Sequence, residues 1–233
     1  MPHPRLAALA RVPILGGLDD AGLERLAAVC AWRRFAAGER IVGYLEPSTA
    51  VYFLISGRAR AMIYSAGGRA VVFDGLDPGT VFGELAALDG APRSADIEAV
   101  EDSTVATLSG AEFERLLLAE PSIAVAMLRK LAADVRRLSE RVHEFSTLAV
   151  QNRIQAELLR LIRAPGHGGE HPALLSPAPS LADIADRIST RPEAVSREIS
   201  RLTGIGLVLR EGGDLRVLDV GRLEELVREA KGE

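Results

Sequence analysis

Between Leu128 and Phe145 the apolar residues Leu128, Leu131, Val135, Leu138, Val142 and Phe145 are spaced 3, 4, 3, 4, 3, and Ala149 continues the series. A repeat of this kind places every member on one stripe of an α-helix, because three and four residues each bring the chain almost once round the axis. Pro121 suits the first turn, where its missing N–H costs nothing, so one long helix is expected to start there. Arg, Glu and Asp fill the flanks of the stripe, as on a solvated border. The stripe can pack against the protein's own body or against a second copy of itself. The strict alternation favours the second, a parallel dimer helix over residues 124–149.

What precedes this helix has a different period. From about residue 32 to 108, short β-branched and aromatic runs, "VYFLI", "ARAMIY", "AVVFD" and "STVATL", are separated by "SGR", "SAGG" and "DPGT". Turn signals at such spacing predict a small all-β barrel or sandwich. "VYFLISGRARAMIY" reads as a hairpin turning near Gly57. Ahead of it, "LDDAGLERLAAVC" at 18–30 predicts a short amphipathic helix capped by an aspartate, and residues 110–118 another short helix.

Beyond the long helix the chain reads as helical from about 149 to 162. "APGHGGEHPALLSPAPS" then reads as a surface connection, and its His167 and His171 as solvent-exposed loop histidines rather than metal ligands. Ser180 with Asp183 marks a capped helix start, and Ile188, Ser189 and Thr190 a break. "TRPE", with Thr190 and Glu193, reads as a capping box for a further helix. On that helix Ala194, Val195, Ile199 and Leu202 face a core, while Glu193, Ser196, Arg197, Ser200 and Arg201 share the opposite face. Two helices joined by a short turn form a helix-turn-helix. "LVLREGGDLRVLD" adds a hairpin, that is, a wing. The polar face has groups suited to a major groove: Arg197 can grip guanine through two hydrogen bonds, and Glu193 can accept from a base amine. The groove reading is favoured; the alternatives are a solvated face carrying a Glu193–Arg197 ion pair and a protein-docking module.

Charge does not decide between these. The net charge is −4, and residues 1–150 carry 16 basic and 19 acidic residues against 12 and 13 in the remainder. Nucleic-acid binding would rest on a local patch. The one cysteine, Cys30, excludes an internal disulfide framework and a cysteine-based metal site, and fits a cytoplasmic protein. Neither a signal peptide nor a membrane span is expected, and no Ser/His/Asp, Cys/His or metal cluster with usable spacing points to an enzyme.

One stretch remains, "FGELAALDGAPRS" at 82–94, with Glu84 at its start and Arg93 near its end. Gly83 permits close backbone approach, Arg93 can clamp a phosphate, Glu84 can accept a sugar hydroxyl, and Ser94 can add a hydroxyl. On chemistry alone a helical turn closed by a Glu84–Arg93 salt bridge is as good a reading.

The string closely resembles the phosphate-binding cassette of cyclic-nucleotide-binding domains, FGE-x-[AG]-L-x-x-x-x-P-R-[AST]-A, over its whole length. The order of barrel, long helix and winged helix-turn-helix is similar to that of the bacterial cyclic AMP receptor/fumarate-nitrate regulator (CRP/FNR) family, across residues 12 to 230. "VPILGGLDDAGLERLA", "AAGERIV" and "VYFLISGRA" also look like that family's N-terminal portion. A member of it is a standard helix-turn-helix example.

The resemblance implies an α+β chain in three parts: a cyclic-nucleotide-binding β-barrel (jelly roll) at 1–120, a dimerisation helix and hinge at 121–148, and a winged helix-turn-helix DNA-binding domain at 149–233. It carries ligand contact to Gly83, Glu84, Leu85, Arg93 and Ser94. With the register set by "NRI" at Asn152 to Ile154, it also carries contact with the base to Leu138 and Ser139. The cyclic AMP receptor has a Thr-Ser pair there. Cyclic AMP is the favoured effector; because Leu138 cannot hydrogen-bond a base, cyclic GMP or both nucleotides are the alternative. DNA contact falls to Thr190, Arg191, Glu193, Ser196, Arg197 and Arg201, the Glu-x-x-Ser-Arg pattern being closer to the fumarate-nitrate branch. That branch's iron–sulfur cysteines are absent, and residues 31–142 hold neither the Cys nor the His of haem-sensing relatives. The implied partners are palindromic operator DNA, a second copy of the chain and RNA polymerase, with no metal and no membrane. Ligand would favour the dimer whose recognition helices lie about 34 Å apart, one turn of DNA, with a hinge near Phe145 to Leu148. A constitutive DNA binder with a vestigial ligand module is the second reading, and an enzyme regulated by that module the third.

Overall fold

The computed structural model describes residues 4–64, 70–163 and 172–232. Two compact units divide the chain, Met1–Asp134 and Val135–Glu233.

The first unit begins with helices α1 (Pro4–Leu9) and α2 (Asp20–Val29), joined through a single 3₁₀ turn at Pro13–Leu15. Asp19 caps α2 as expected, its side chain accepting from the N–H of Gly22. Eight strands follow: β1 (Ala31–Phe35), β2 (Arg40–Val42), β3 (Val51–Ser56), β4 (Ala59–Tyr64), β5 (Ala70–Leu76), β6 (Val81–Phe82), β7 (Asp96–Ala99) and β8 (Ser103–Leu108). They form two antiparallel four-stranded sheets, ordered β1-β8-β3-β6 and β2-β7-β4-β5. This is a jelly roll.

The two strands of "VYFLISGRARAMIY" are not a hairpin. β3 pairs with β8 and β6, whereas β4 pairs with β5 and β7 in the other sheet. Gly57 is where the chain crosses between sheets. Its φ is +82°, and a Cβ there would lie 2.3 Å from Ser103 Oγ and 2.5 Å from the Asp102 carbonyl. The glycine is needed for that close crossing and not for a two-residue turn.

The unbroken apolar run of β3 has a matching cause. Tyr52 and Leu54 face the core between the sheets, with Phe35, Phe82, Ile97 and Val105. Val51 and Phe53 face the other way, into a second core built with Leu9, Leu15, Leu26, Phe113, Ile123 and Met127. A strand covered on both faces loses the polar alternation that marks a half-exposed one. Helix α4 (Gly110–Ala119), capped by Ser109, and the start of α5 (Pro121–Thr147) supply part of that second layer. Cys30 ends α2 rather than lying within it, buried in this core, and burial pushes its thiol up to about 11.

Helix α5 runs unbroken from Pro121 as the seven-residue repeat predicts. Leu131 packs partly against the first unit's core, while Leu128, Val135, Leu138 and Val142 are exposed, the first and last by 65% each. Part of the repeat thus packs on the protein's own body, and the rest of the stripe is uncovered in the single chain.

The second unit gathers α6 (Val150–Arg163), β9 (Ala173–Leu175), α7 (Leu181–Arg187), α8 (Pro192–Gly204), β10 (Val208–Glu211), β11 (Asp214–Val217) and α9 (Val220–Lys231) around one core of Ile154, Leu158, Ile184, Val195, Leu202, Leu215 and Leu223. The stretch read as a connection holds β9, which pairs with β11 and widens the wing hairpin to a three-stranded sheet. Three residues flanked by proline are too short to show a period, so only the sheet reveals them. His167 and His171 lie outside the described residues, as does the "SAGG" turn.

Ser180 and Asp183 form the expected capping box of α7. The second expected box is absent: Arg191 is the N-cap of α8 and makes no side-chain cap bond. Pro192 occupies the first helical position and holds the residue before it extended, which moves the start one residue past Thr190. Among the described residues no helix is long and apolar enough to cross a membrane, and no group of three His, Cys, Asp or Glu could hold a metal ion.

Candidate functional site

Gly83 caps a one-and-a-half-turn helix, α3 (Glu84–Asp89), that leaves the edge strand β6. Its φ is +81°, the left-handed region. A Cβ would lie 2.8 Å from Arg93 Nη1, 2.9 Å from the Ala50 carbonyl and 3.2 Å from Tyr52 Cδ2. Both the angle and the space therefore demand glycine. Gly83→Ala is expected to destabilise the protein by about 2 kcal/mol and to displace Arg93, read by urea unfolding alongside a ligand titration.

Arg93 is 2% exposed and is held from three sides. Nε donates to Ser48 Oγ at 2.9 Å, Nη1 to the Gly83 carbonyl at 2.8 Å and Nη2 to the Ala50 carbonyl at 2.7 Å. The guanidinium also lies over the ring of Tyr52, 5.7 Å from its centroid, and that ring stacks on Phe82. Its backbone is tied in turn: the Leu45 N–H donates to the Arg93 carbonyl, and the Arg93 N–H to the Glu46 carbonyl. Leu45 is exposed and adopts φ of 63°, so the loop facing the cassette carries strain of its own. Burial lowers the Arg93 pKa, opposed by the nearby charges of Tyr52, Glu46 and Glu84. A guanidinium has five N–H bonds. Three are used on protein, leaving one on each terminal nitrogen, the pair that fits an oxyanion such as phosphate.

Glu84 is 6% exposed and does not pair with Arg93. Its Oε1 accepts from Lys130 Nζ of α5 at 2.6 Å, and Lys130 also reaches Asp134 at 2.9 Å. The salt-bridged turn that the sequence allowed is thereby replaced by two separate arrangements, one anion-ready and one centred on a carboxylate. Leu85 and Ser94 are exposed beside them, while Ala86 is buried. Leu138 and Ser139 belong to the second unit, on exposed positions of α5, where the Ser139 hydroxyl donates to the Val135 carbonyl.

On the second unit, Arg191, Glu193, Ser196, Arg197, Ser200 and Arg201 are exposed along α8, with Val195, Ile199 and Leu202 buried beneath. Among the described residues no ion pair joins Glu193 to Arg197, so both heads stand open to solvent. Arg201 is committed differently: Nε and Nη2 donate to Glu198, which is buried and also accepts from Gln155 of α6 at 2.7 Å. Thr190 is nearly buried at the turn and its N–H donates to the Ala185 carbonyl. The sequence pattern thus found the face but not which of its members are occupied in holding it.

A β-domain with a buried arginine in its cassette is therefore followed along the chain by a helix-turn-helix that presents an exposed polar face. The comparisons agree with each part. Residues 32–120 match the family described as cyclic nucleotide-binding domain, and residues 152–226 the Crp-like helix-turn-helix domain. The chain is 28% identical over 214 residues to the cyclic AMP receptor protein of Thermus thermophilus, covering 92% of this chain and 96% of that one. It is 26% identical over 211 residues to the cAMP-activated global transcriptional regulator Vfr of Pseudomonas aeruginosa, covering 89% and 96%. Among solved structures, a transcriptional regulator of the CRP/FNR family from Thermus thermophilus matches with a TM-score of 0.64 at 25% identity, covering 85% of this chain and 98% of that one. The chain belongs to the CRP/FNR family of transcription regulators, which are not enzymes.

Proposed function

We propose that this regulator is a cytoplasmic homodimer that binds a cyclic nucleotide on the first unit and, once loaded, docks its two α8 helices on palindromic operator DNA. The observation that carries the ligand reading is Arg93, buried, fixed by Ser48, Gly83 and Ala50, and retaining one N–H on each terminal nitrogen. Those two donors suit the cyclic phosphate, and Glu84 suits the ribose hydroxyl. Cyclic AMP is the favoured effector, supported by relatives named for it; cyclic GMP or both is the alternative, because Leu138 offers no hydrogen bond to a base edge. The dimer reading rests on the exposed apolar stripe of α5, and the DNA reading on Glu193, Ser196 and Arg197 standing open on α8. Contact with RNA polymerase belongs to the same reading.

Calorimetric titration of the full chain with cyclic AMP and with cyclic GMP, followed by a mobility shift on a palindromic duplex, tests this. We expect heat from at least one nucleotide and tighter DNA binding in its presence. Silence with both nucleotides would leave a constitutive DNA binder, and equal DNA affinity in both lanes would remove the gating.

A further inference from the structure

The sequence holds 28 Lys and Arg residues, of which Lys130 and Lys231 are the lysines. One of these two stands against the most buried acid of the cassette. Lys130 Nζ contacts Glu84 Oε1 at 2.6 Å and Asp134 Oδ2, one helical turn along α5, at 2.9 Å. An arginine would spread its charge over a flat fork, whereas a lysine places a compact ammonium between two single oxygens. The contact is one-sided. Oε1 of Glu84 is taken, while Oε2 has no partner among the described residues.

We propose that Lys130 is a positioning residue for sugar selectivity: it holds the buried Glu84 carboxylate turned so that Oε2 faces the ribose 2′-hydroxyl of a bound cyclic nucleotide. This rests on the nucleotide reading of the cassette. A carboxylate this deeply buried is stable as an anion only beside a cation. Lys130 supplies it, and Asp134 holds the ammonium from the far side so that it cannot swing away into solvent. Burial works against the Lys130 charge, but the carboxylates of Glu84 and Asp134 outweigh it and raise its pKa. Take the ammonium away, and Glu84 loses the contact that fixes it and turns toward water. The charge-assisted bond to the sugar is then lost while Arg93 keeps its three anchors.

The test is calorimetry on the full chain with cyclic AMP and 2′-deoxy-cyclic AMP. Wild type should prefer the ribonucleotide by about 10- to 100-fold, the range for a hydrogen bond to a charged group. Lys130→Met should cut that preference to below about threefold, mainly by weakening cyclic AMP, and Lys130→Arg should restore most of it. Lys130→Gln removes the same charge with a polar end and serves if the methionine variant folds poorly. A general loss of structure would weaken both nucleotides together and leave their ratio unchanged. An unchanged ratio, or tighter cyclic AMP binding in the uncharged variants, would overturn the role of Lys130 and leave the nucleotide site standing. Failure of wild type to bind either nucleotide would overturn the cassette reading and this inference with it.

Discussion

Arg93→Ala is expected to abolish the proposed ligand response and also to unfold more easily than wild type. The first effect follows from the two N–H bonds left free on Nη1 and Nη2. Losing a charge-assisted pair to a buried phosphate costs about 2–5 kcal/mol, so nucleotide affinity should fall by at least about 30-fold. The second effect is not visible in the sequence, which offers Arg93 as a ligand contact or as an ion-pair partner of Glu84 but not as the anchor of Ser48, Gly83 and Ala50. In the folded chain it closes the carbonyls of Gly83 and Ala50 and the hydroxyl of Ser48, drawing the cassette onto the start of β3. Alanine leaves these oxygens short of donors and opens a hole beside Tyr52, so about 2–3 kcal/mol of stability should go as well. Urea unfolding and calorimetry, run together, separate the two. Ser48→Ala supplies the control, since it frees one anchor and leaves the arginine present. Nucleotide affinity within threefold of wild type in Arg93→Ala would sink the phosphate assignment.

The same residue shows where sequence reading stopped. Arg93 and Gly83 were legible because their spacing is set by one short helix and its glycine cap, all within a dozen residues. Ser48, Ala50 and Lys130 were not, because they reach the cassette from 45, 43 and 46 residues away in the chain. Nothing local marks a serine that will receive an arginine from a distant loop. β3 illustrates a related loss: buried on both faces, it shows no alternation, and its neighbour in sequence looks like its partner in space. The polar face of α8 was legible from its 3.6-residue period, yet Arg201 and Thr190 are partly engaged with Glu198 and the Ala185 carbonyl. Period tells which way a side chain points but not what already holds it. The long helix was the most legible element, since a repeat needs no long-range information.

That repeat sets the second large effect. Val142→Asp should turn a dimer into a monomer and, with it, remove binding to a two-half-site duplex. Val142 is 65% exposed, and with Val135 and Leu138 it lines a stripe that one copy leaves uncovered. Covering each such side chain is worth about 1.5–3 kcal/mol, and in a dimer every position counts twice. In a parallel pair, residue 142 meets its own counterpart, so the substitution sets two carboxylates face to face in an apolar seam. That costs several kcal/mol in addition to the lost burial, enough to weaken association by about 100-fold or more. The single chain should hardly notice: an exposed helical site tolerates aspartate for about 0.5 kcal/mol. Sedimentation velocity over a range of concentrations reads the first part, urea unfolding the second and mobility shift the third. Arg136→Ser, also exposed on α5 but off the stripe, should leave all three unchanged. A Val142→Asp protein that sediments as a dimer at micromolar concentration would place the partner surface elsewhere, and the seven-residue repeat would then need another explanation.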